Sequence, residues 1–184
     1  PAFIRRVFED YGPRAQRTGA RLLPAMGYDF VPGNLAGALL LRRYRGAGLT
    51  GLRIGYFVTG PFGPSSGSVA SGAGIMLDPS FAWRDGSLQA ERPGAHVHTF
   101  AVADADASAM SLGGSEHFAL PRLDPQLRDV AVHVGWAGRW SRAAAAASGL
   151  AAGARQVPGI GTAMGAVFRT ALGGASAEGP ADHV

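Results

Sequence analysis

The chain has 184 residues, 47% of them apolar, with no cysteine and no lysine, so its net charge of +4 rests on arginine alone. That length can bury a core in one domain, or one and a fraction, and the composition excludes disulfides, thiolate metal sites and cysteine nucleophiles. It also excludes Schiff-base lysines and the P-loop, which needs its Lys. The basic balance does not read as nucleic-acid binding. The arginines are scattered, and the one dense run, Arg42, Arg43 and Arg45, closes a helix where cations suit the dipole.

Phe3, Ile4, Val7, Phe8 and Tyr11 recur at helical spacing opposite Arg5, Arg6, Glu9 and Asp10. This predicts an amphipathic helix ended by Gly12 and Pro13, with a further helical turn over Arg14 to Ala20. Leu22 to Met26 reads as a short apolar strand in which Pro24 forbids one ladder bond. In GYDFVPGNLAGALLL, Gly27 to Leu41, a strand exit leads to a turn built from Gly27, Pro32 and Gly33, then to an apolar helix capped by Asn34. Strand, turn and helix in that order are where open α/β folds place ligands. Gly46, Gly48 and Gly51 make a flexible crossing to a strand that puts Leu52, Ile54, Tyr56 and Val58 on one face.

Ser65 to Leu77 reads as a short Gly/Ser-rich helix. In Pro79 to Leu88, Asp85-Gly86 between extended flanks predicts a tight hairpin. Val97 to Val102 and Val130 to Trp136 complete a set of strands expected to form an antiparallel or mixed sheet. From Ala143 onward an Ala/Gly-rich helical segment is broken by Arg155 and Pro158, so no run of about 20 apolar residues exists to span a membrane. From Gly173 the tail is expected to be disordered. No apolar leader opens the sequence, which favours the cytoplasm and leaves peripheral membrane association open.

Several short motifs carry chemistry in principle. Gly159, Gly161 and Gly165 spell an imperfect dinucleotide run, with the third glycine one position late and no βαβ unit around it. Gly63 to Gly67 matches G-x-S-x-G, with Ser65 as the nucleophile and Asp104, His117, Asp129 and His133 downstream. Gly60 to Gly63 separate that serine from its strand, which an elbow does not allow. His96 and His98 lie two apart and could join His117 or His133 around a metal, but no carboxylate has matching spacing, so no metal site is assigned. Ser115, Glu116 and His117 form a polar trio entering an apolar segment. It suits binding or protonating a substrate, or equally a hydrogen-bonded structural turn.

Five segments carry a resemblance: GYDFVPGNLAGALLL, PSSGSVAS (Pro64 to Ser71), FAWRDGSL (Phe81 to Leu88), GGSEHFALPR (Gly113 to Arg122) and RDVAVHVGW (Arg128 to Trp136). In order and spacing they resemble the bacterial saccharopine dehydrogenase-like family, which includes the trans-acting enoyl reductases of lipid biosynthesis. The resemblance runs from about Phe8 to about Gly161. It implies an NAD(P)-dependent oxidoreductase, with hydride transfer to a carbon-carbon double bond or an imine-like substrate, on a small molecule or a lipid-linked one. The family's opening G-x-G-x-x-G unit has no counterpart here.

The expectation is therefore an α+β fold: the mixed or antiparallel sheet domain of a Rossmann-type oxidoreductase. Residues 1–45 would be a remnant of the nucleotide-binding domain, 46–140 the substrate and dimerisation domain, 141–172 an Ala/Gly-rich helical segment and 173–184 a tail. By resemblance, Gly27, Tyr28, Asp29, Pro32, Gly33 and Asn34 would face NADP or NAD and the substrate. Ser66, Gly67 and Ser68 would bound the pocket, and Ser115, Glu116 and His117 would line its far wall as catalytic candidates. The chain alone would hold NADPH weakly or not at all and stay inert unless a separate nucleotide-binding chain completes it. Two other readings stay open: a non-catalytic module that dimerises or associates with lipid, and a serine hydrolase using Ser65.

Overall fold

The computed structural model describes residues 2–58, 75, 78–135 and 141–154. Helix α1 (Ala2–Arg6) runs through a π-helical turn, Val7–Tyr11, into α2 (Gly12–Thr18). The expected stop at Gly12 and Pro13 does not occur. Pro13 falls in the first turn of α2, where its missing N–H removes no bond the helix needs, and the wide turn before it gives the ring room. The helix ends instead at Gly19, whose φ of +70° is the left-handed cap that glycine adopts without penalty. The strand expected at Leu22 to Met26 is absent. Pro24 offers no donor and Ala25 sits at φ 57°, which turns the chain out of any extended run.

Helix α3 (Val31–Arg43) starts at Val31 with Phe30 as its N-cap, so Asn34 lies inside the first turn and is not the cap. Its entry is a tight turn: the N–H groups of Phe30 and Val31 both donate to the Gly27 carbonyl, at 3.1 and 3.0 Å. After Tyr44 the chain crosses to strand β1 (Gly51–Tyr56). The hairpin of β2 (Ser80–Arg84) and β3 (Ser87–Glu91) turns on Asp85 and Gly86, at φ 49° and 76°. Two left-handed residues match the right-handed twist of the flanking strands, as Asp-Gly predicted.

Strands β4 (Val97–Val102) and β5 (Ala105–Ser111) pair along their length as a second hairpin. No sequence pattern predicts a strand at β5. ADASAMS carries no β-branched residue, and the strand exists because β4 supplies its partner groups.

After α4 (Glu116–Leu123) comes β6 (Asp129–Val134), and α5 (Ser141–Ala154) follows as the Ala-rich helix. β6 is the hub of the mixed, six-stranded sheet. β1 pairs with it in parallel from Gly51↔Asp129 to Tyr56↔Val134. Its remaining edge is shared by β2, at Trp83↔Val130, and β5, at Met110↔Val134 and Ser111↔His133, both antiparallel. The observed class is α+β with a mixed sheet, as expected.

Period two puts Leu52, Ile54 and Tyr56 of β1 on the same face as Val130, Val132 and Val134 of β6. Helices α3, α4 and α5 touch the sheet at β1, at β2 and β6, and at β4 and β5. Leu41, Leu120, Leu127 and Val130 form one buried cluster, and Tyr56, Met110, Leu112, Val132, Val134 and Ala145 another. Ile4, Phe81 and Phe118 join α1 to this core, with Phe8 stacked on Phe118 at 4.6 Å. Along α3 the buried positions are Gly33, Gly37 and Leu41, one side of the helix. A Cβ at Gly37 would stand 2.7 Å from Leu120 Cδ1, so the glycine is what lets α3 approach α4 closely.

Candidate functional site

The tight approach of α3 to α4 brings two distant segments together, the Gly27–Asn34 turn and the Ser115-Glu116-His117 helix start. Asn34 Nδ2 donates to Ser115 Oγ at 2.8 Å and to the Phe30 carbonyl at 2.9 Å. The Tyr56 hydroxyl, reaching up from the end of β1, accepts from the Gly33 N–H at 3.0 Å. It also meets Glu116 Oε1 in a short hydrogen bond and the Phe30 carbonyl at 3.1 Å.

Glu116 is fully buried, at 0% exposure, and its carboxyl is held between two glycines. A Cβ at Gly33 would lie 2.7 Å from Oε1, and one at Gly114 would run into Oε2. Both positions therefore need a bare backbone.

Burial dominates the electrostatics. It pushes the Glu116 carboxyl up from 4.5 to about 7, against the Tyr56 and Ser115 hydrogen bonds that favour the charged form, and the nearby Asp29 carboxylate adds to the rise. Burial first, then the same carboxyl, raises the Tyr56 phenol above its ordinary range. Near neutral pH, Glu116 thus exists in both protonation states.

A single hydroxyl proton on Tyr56 faces two acceptors, and the protonation of Glu116 decides between them. With Glu116 neutral, its O–H can donate to Tyr56, whose own proton then goes to the Phe30 carbonyl. With Glu116 ionised, the Tyr56 proton turns to the carboxylate. Among the described residues Glu116 Oε2 and Asn34 Oδ1 are buried without a hydrogen-bond partner. A buried acceptor left without a donor is costly, which favours the protonated carboxyl.

The remaining candidates fall in different surroundings. His117 is buried with its ring edge-on to Phe81 and its Nδ1 accepting from the Gly114 N–H at 3.0 Å. Burial holds its pKa down, at about 4, so the ring is neutral and fastens the Gly113-Gly114 turn. Tyr28 is exposed on the surface, as are Gly27 and Pro32, while Asp29 is half-buried. Ser65, Ser66, Gly67 and Ser68, the proposed pocket edge and the hydrolase serine, lie outside the described residues, as do Gly159, Gly161 and Gly165.

His98 and His133 come within 5.8 Å, ring to ring, on the sheet face opposite Ile54 and Val132, but His96 is exposed and pairs with Glu91 at 3.3 Å. Among the described residues no group of three or more His, Asp or Glu could hold a metal ion. None of the described helices is long and apolar enough to cross a membrane.

The sequence pattern places Tyr56 only as one of four apolar positions on a strand face and does not predict it as a site residue. Its signal was available, since it is the one hydroxyl on that face, and a buried Tyr O–H needs a partner.

A phosphate group does not fit the start of α3. Phosphate binding there needs free amides, yet Val31 N–H donates to Gly27, Gly33 N–H to Tyr56 and Asn34 N–H to Phe30, while Pro32 has none. The Asp29 carboxylate nearby would also repel a pyrophosphate. No protein-family model, curated protein or solved structure that was compared matches the chain.

Proposed function

We propose that this chain is the substrate-side part of a saccharopine dehydrogenase-like, NAD(P)-linked oxidoreductase of Rossmann type, and that it does not itself hold the dinucleotide. One observation carries the reading. Two of the segments on which the resemblance rests, far apart in sequence, are joined by the Asn34–Ser115 bond and by Tyr56 between Gly33 and Glu116. A random pair of surface turns has no reason to converge on a buried carboxyl.

In this reading the chain contributes proton handling. A carboxyl whose pKa lies near neutrality suits a general acid, because it holds a proton at working pH and gives it up at modest cost. Glu116 is the candidate acid and Tyr56 orients it; because the carboxyl is fully buried, the Gly27–Asn34 turn has to move for a substrate to reach it. Asn34 and Ser115 fix the helix start against the turn, and Gly33 and Gly114 leave the space the carboxyl fills. The dinucleotide comes from a separate nucleotide-binding chain or domain, and the hydride chemistry belongs to that cofactor.

Amide chemical shifts test both halves of the proposal. An enoyl thioester such as crotonyl-pantetheine is expected to move Gly33, Asn34, Ser115 and Glu116, while NADPH moves nothing in the micromolar range. Saturable micromolar NADPH binding would overturn the division of labour. Enoyl and imine probes that both leave those four amides unmoved would overturn the substrate-side assignment.

A further inference from the structure

Fourteen large hydrophobic side chains are exposed among the described residues, and ten of them fall between Phe3 and Tyr44. They include Leu22, Leu23 and Met26 on the irregular segment after α2, with Leu23 at 77% exposure, and Leu35 and Leu39 one turn apart on α3, away from its buried glycine face. A soluble surface does not gather apolar side chains in this way without something to cover them.

Charge gathers in the same stretch of sequence. Residues 1–45 hold eight arginines against Glu9, Asp10 and Asp29, a balance of +5 that exceeds the +4 of the whole chain and leaves the rest slightly acidic. Arg5 and Arg6 pair with Glu9 and Asp10 at 2.7 and 3.7 Å. Among the described residues, Arg14, Arg17, Arg21, Arg42, Arg43 and Arg45 are exposed with no carboxylate in ion-pair range.

Three of the four tyrosines, Tyr11, Tyr28 and Tyr44, are exposed in this same stretch of sequence, and only Tyr56 is inside. Exposed Leu, Met and Phe, tyrosines at the boundary and weakly hydrated guanidinium groups are the side chains that a bilayer interface accommodates. A second copy of the chain would set +5 against +5, which rules against self-docking on this face.

We propose that the layer formed by residues 2–45 docks on an anionic lipid surface, its apolar side chains entering the interface and its free arginines meeting the headgroups. The proposal does not rest on the oxidoreductase reading. Such binding combines buried apolar area with headgroup attraction, and each arginine near the surface contributes about fivefold in affinity, the equivalent of about 1 kcal/mol.

Vesicle co-sedimentation of the full chain tests it. Vesicles of phosphatidylcholine with phosphatidylglycerol are expected to bind the protein and release it as salt rises, while pure phosphatidylcholine vesicles do not. Arg42→Gln with Arg43→Gln should weaken binding by more than tenfold, as two such contributions multiply. Leu22→Ser with Leu23→Ser, on an irregular segment outside the core, should weaken it without altering the circular dichroism.

Three results would overturn the proposal: no preference for anionic vesicles, binding that survives both double variants, or self-association in sedimentation that the leucine variant abolishes.

Discussion

The two sides of α3 face opposite worlds. Its Gly33, Gly37 and Leu41 side presses into α4 and the sheet, where even a methyl group at either glycine would meet Tyr56 or Leu120. Its Leu35 and Leu39 side, like most of the layer before Tyr44, stands in solvent. Both sides are apolar by composition, so hydrophobicity alone does not say which side is core. What separates them is the size of the residue at the contact. Glycines allow the backbone approach that buries Leu41 and Leu120, whereas the leucines opposite hold neighbours away. Stability therefore belongs to the α3–α4–β6 contact, and the outer layer is free to serve recognition.

The sharpest way to break that contrast is to empty the contact. Leu120 is fully buried in the cluster with Leu41, Leu127 and Val130. Leu120→Ala should cost about 2–5 kcal/mol, read as a lower urea midpoint, because it loses both transfer energy and packing around the space left. A loss below about 1 kcal/mol would mean the glycine face of α3 is not where the fold is held.

Next in size is the buried carboxyl. Glu116 has a folded pKa of about 7 against an ordinary 4.5, so between those values the folded state binds the extra proton. Stability from this group is present below about pH 4.5 and is lost as pH rises through about 7, a total of about 3 kcal/mol. His117 and His133 run the other way. Both are held down at about 4 by burial, so their contribution is lost as pH falls from 6.5 through about 4. The two effects overlap in the wild type, and Glu116→Gln separates them. The stability of that variant relative to wild type should climb by about 3 kcal/mol across the Glu116 window and then level off. Parallel pH profiles for the two proteins would show that Glu116 titrates as an ordinary carboxylate.

What was legible in the sequence follows the range of the forces involved. The Asp85-Gly86 hairpin, β1, β4 and the core of β6 are set by local turn chemistry and by alternation, and all were readable. The turn at Gly27 was readable only in part: Pro32 and Gly33, expected in it, lie in the first turn of α3, and the cap falls at Phe30 because the expectation at Asn34 rests only on Asn being a common N-cap. Asn34 is instead spent on Ser115, a contact across the fold that no local pattern announces. β5 was invisible because its Ala and Ser residues have no strand preference of their own. The convergence of Gly33, Tyr56 and Glu116 depends on the close approach at Gly37, and there the legible feature was only a glycine in a helix.

The smallest expected effect falls on the outer side of α3. Leu35 and Leu39 are 59% and 63% exposed, so replacing both with Gln removes little buried area. Gln keeps nearly the same helix propensity as Leu, so the intrinsic cost also stays small. Leu35→Gln with Leu39→Gln should therefore unfold within about 0.5 kcal/mol of wild type in urea. The paired measurement gives this small number its meaning. Across two neighbouring helices, the single buried Leu120 of α4 is worth several kcal/mol and the two exposed leucines of α3 almost nothing, although all three are the same side chain on a helix. If the double variant instead loses more than about 1 kcal/mol, those leucines are covered in the folded protein, and the outer layer belongs to the core.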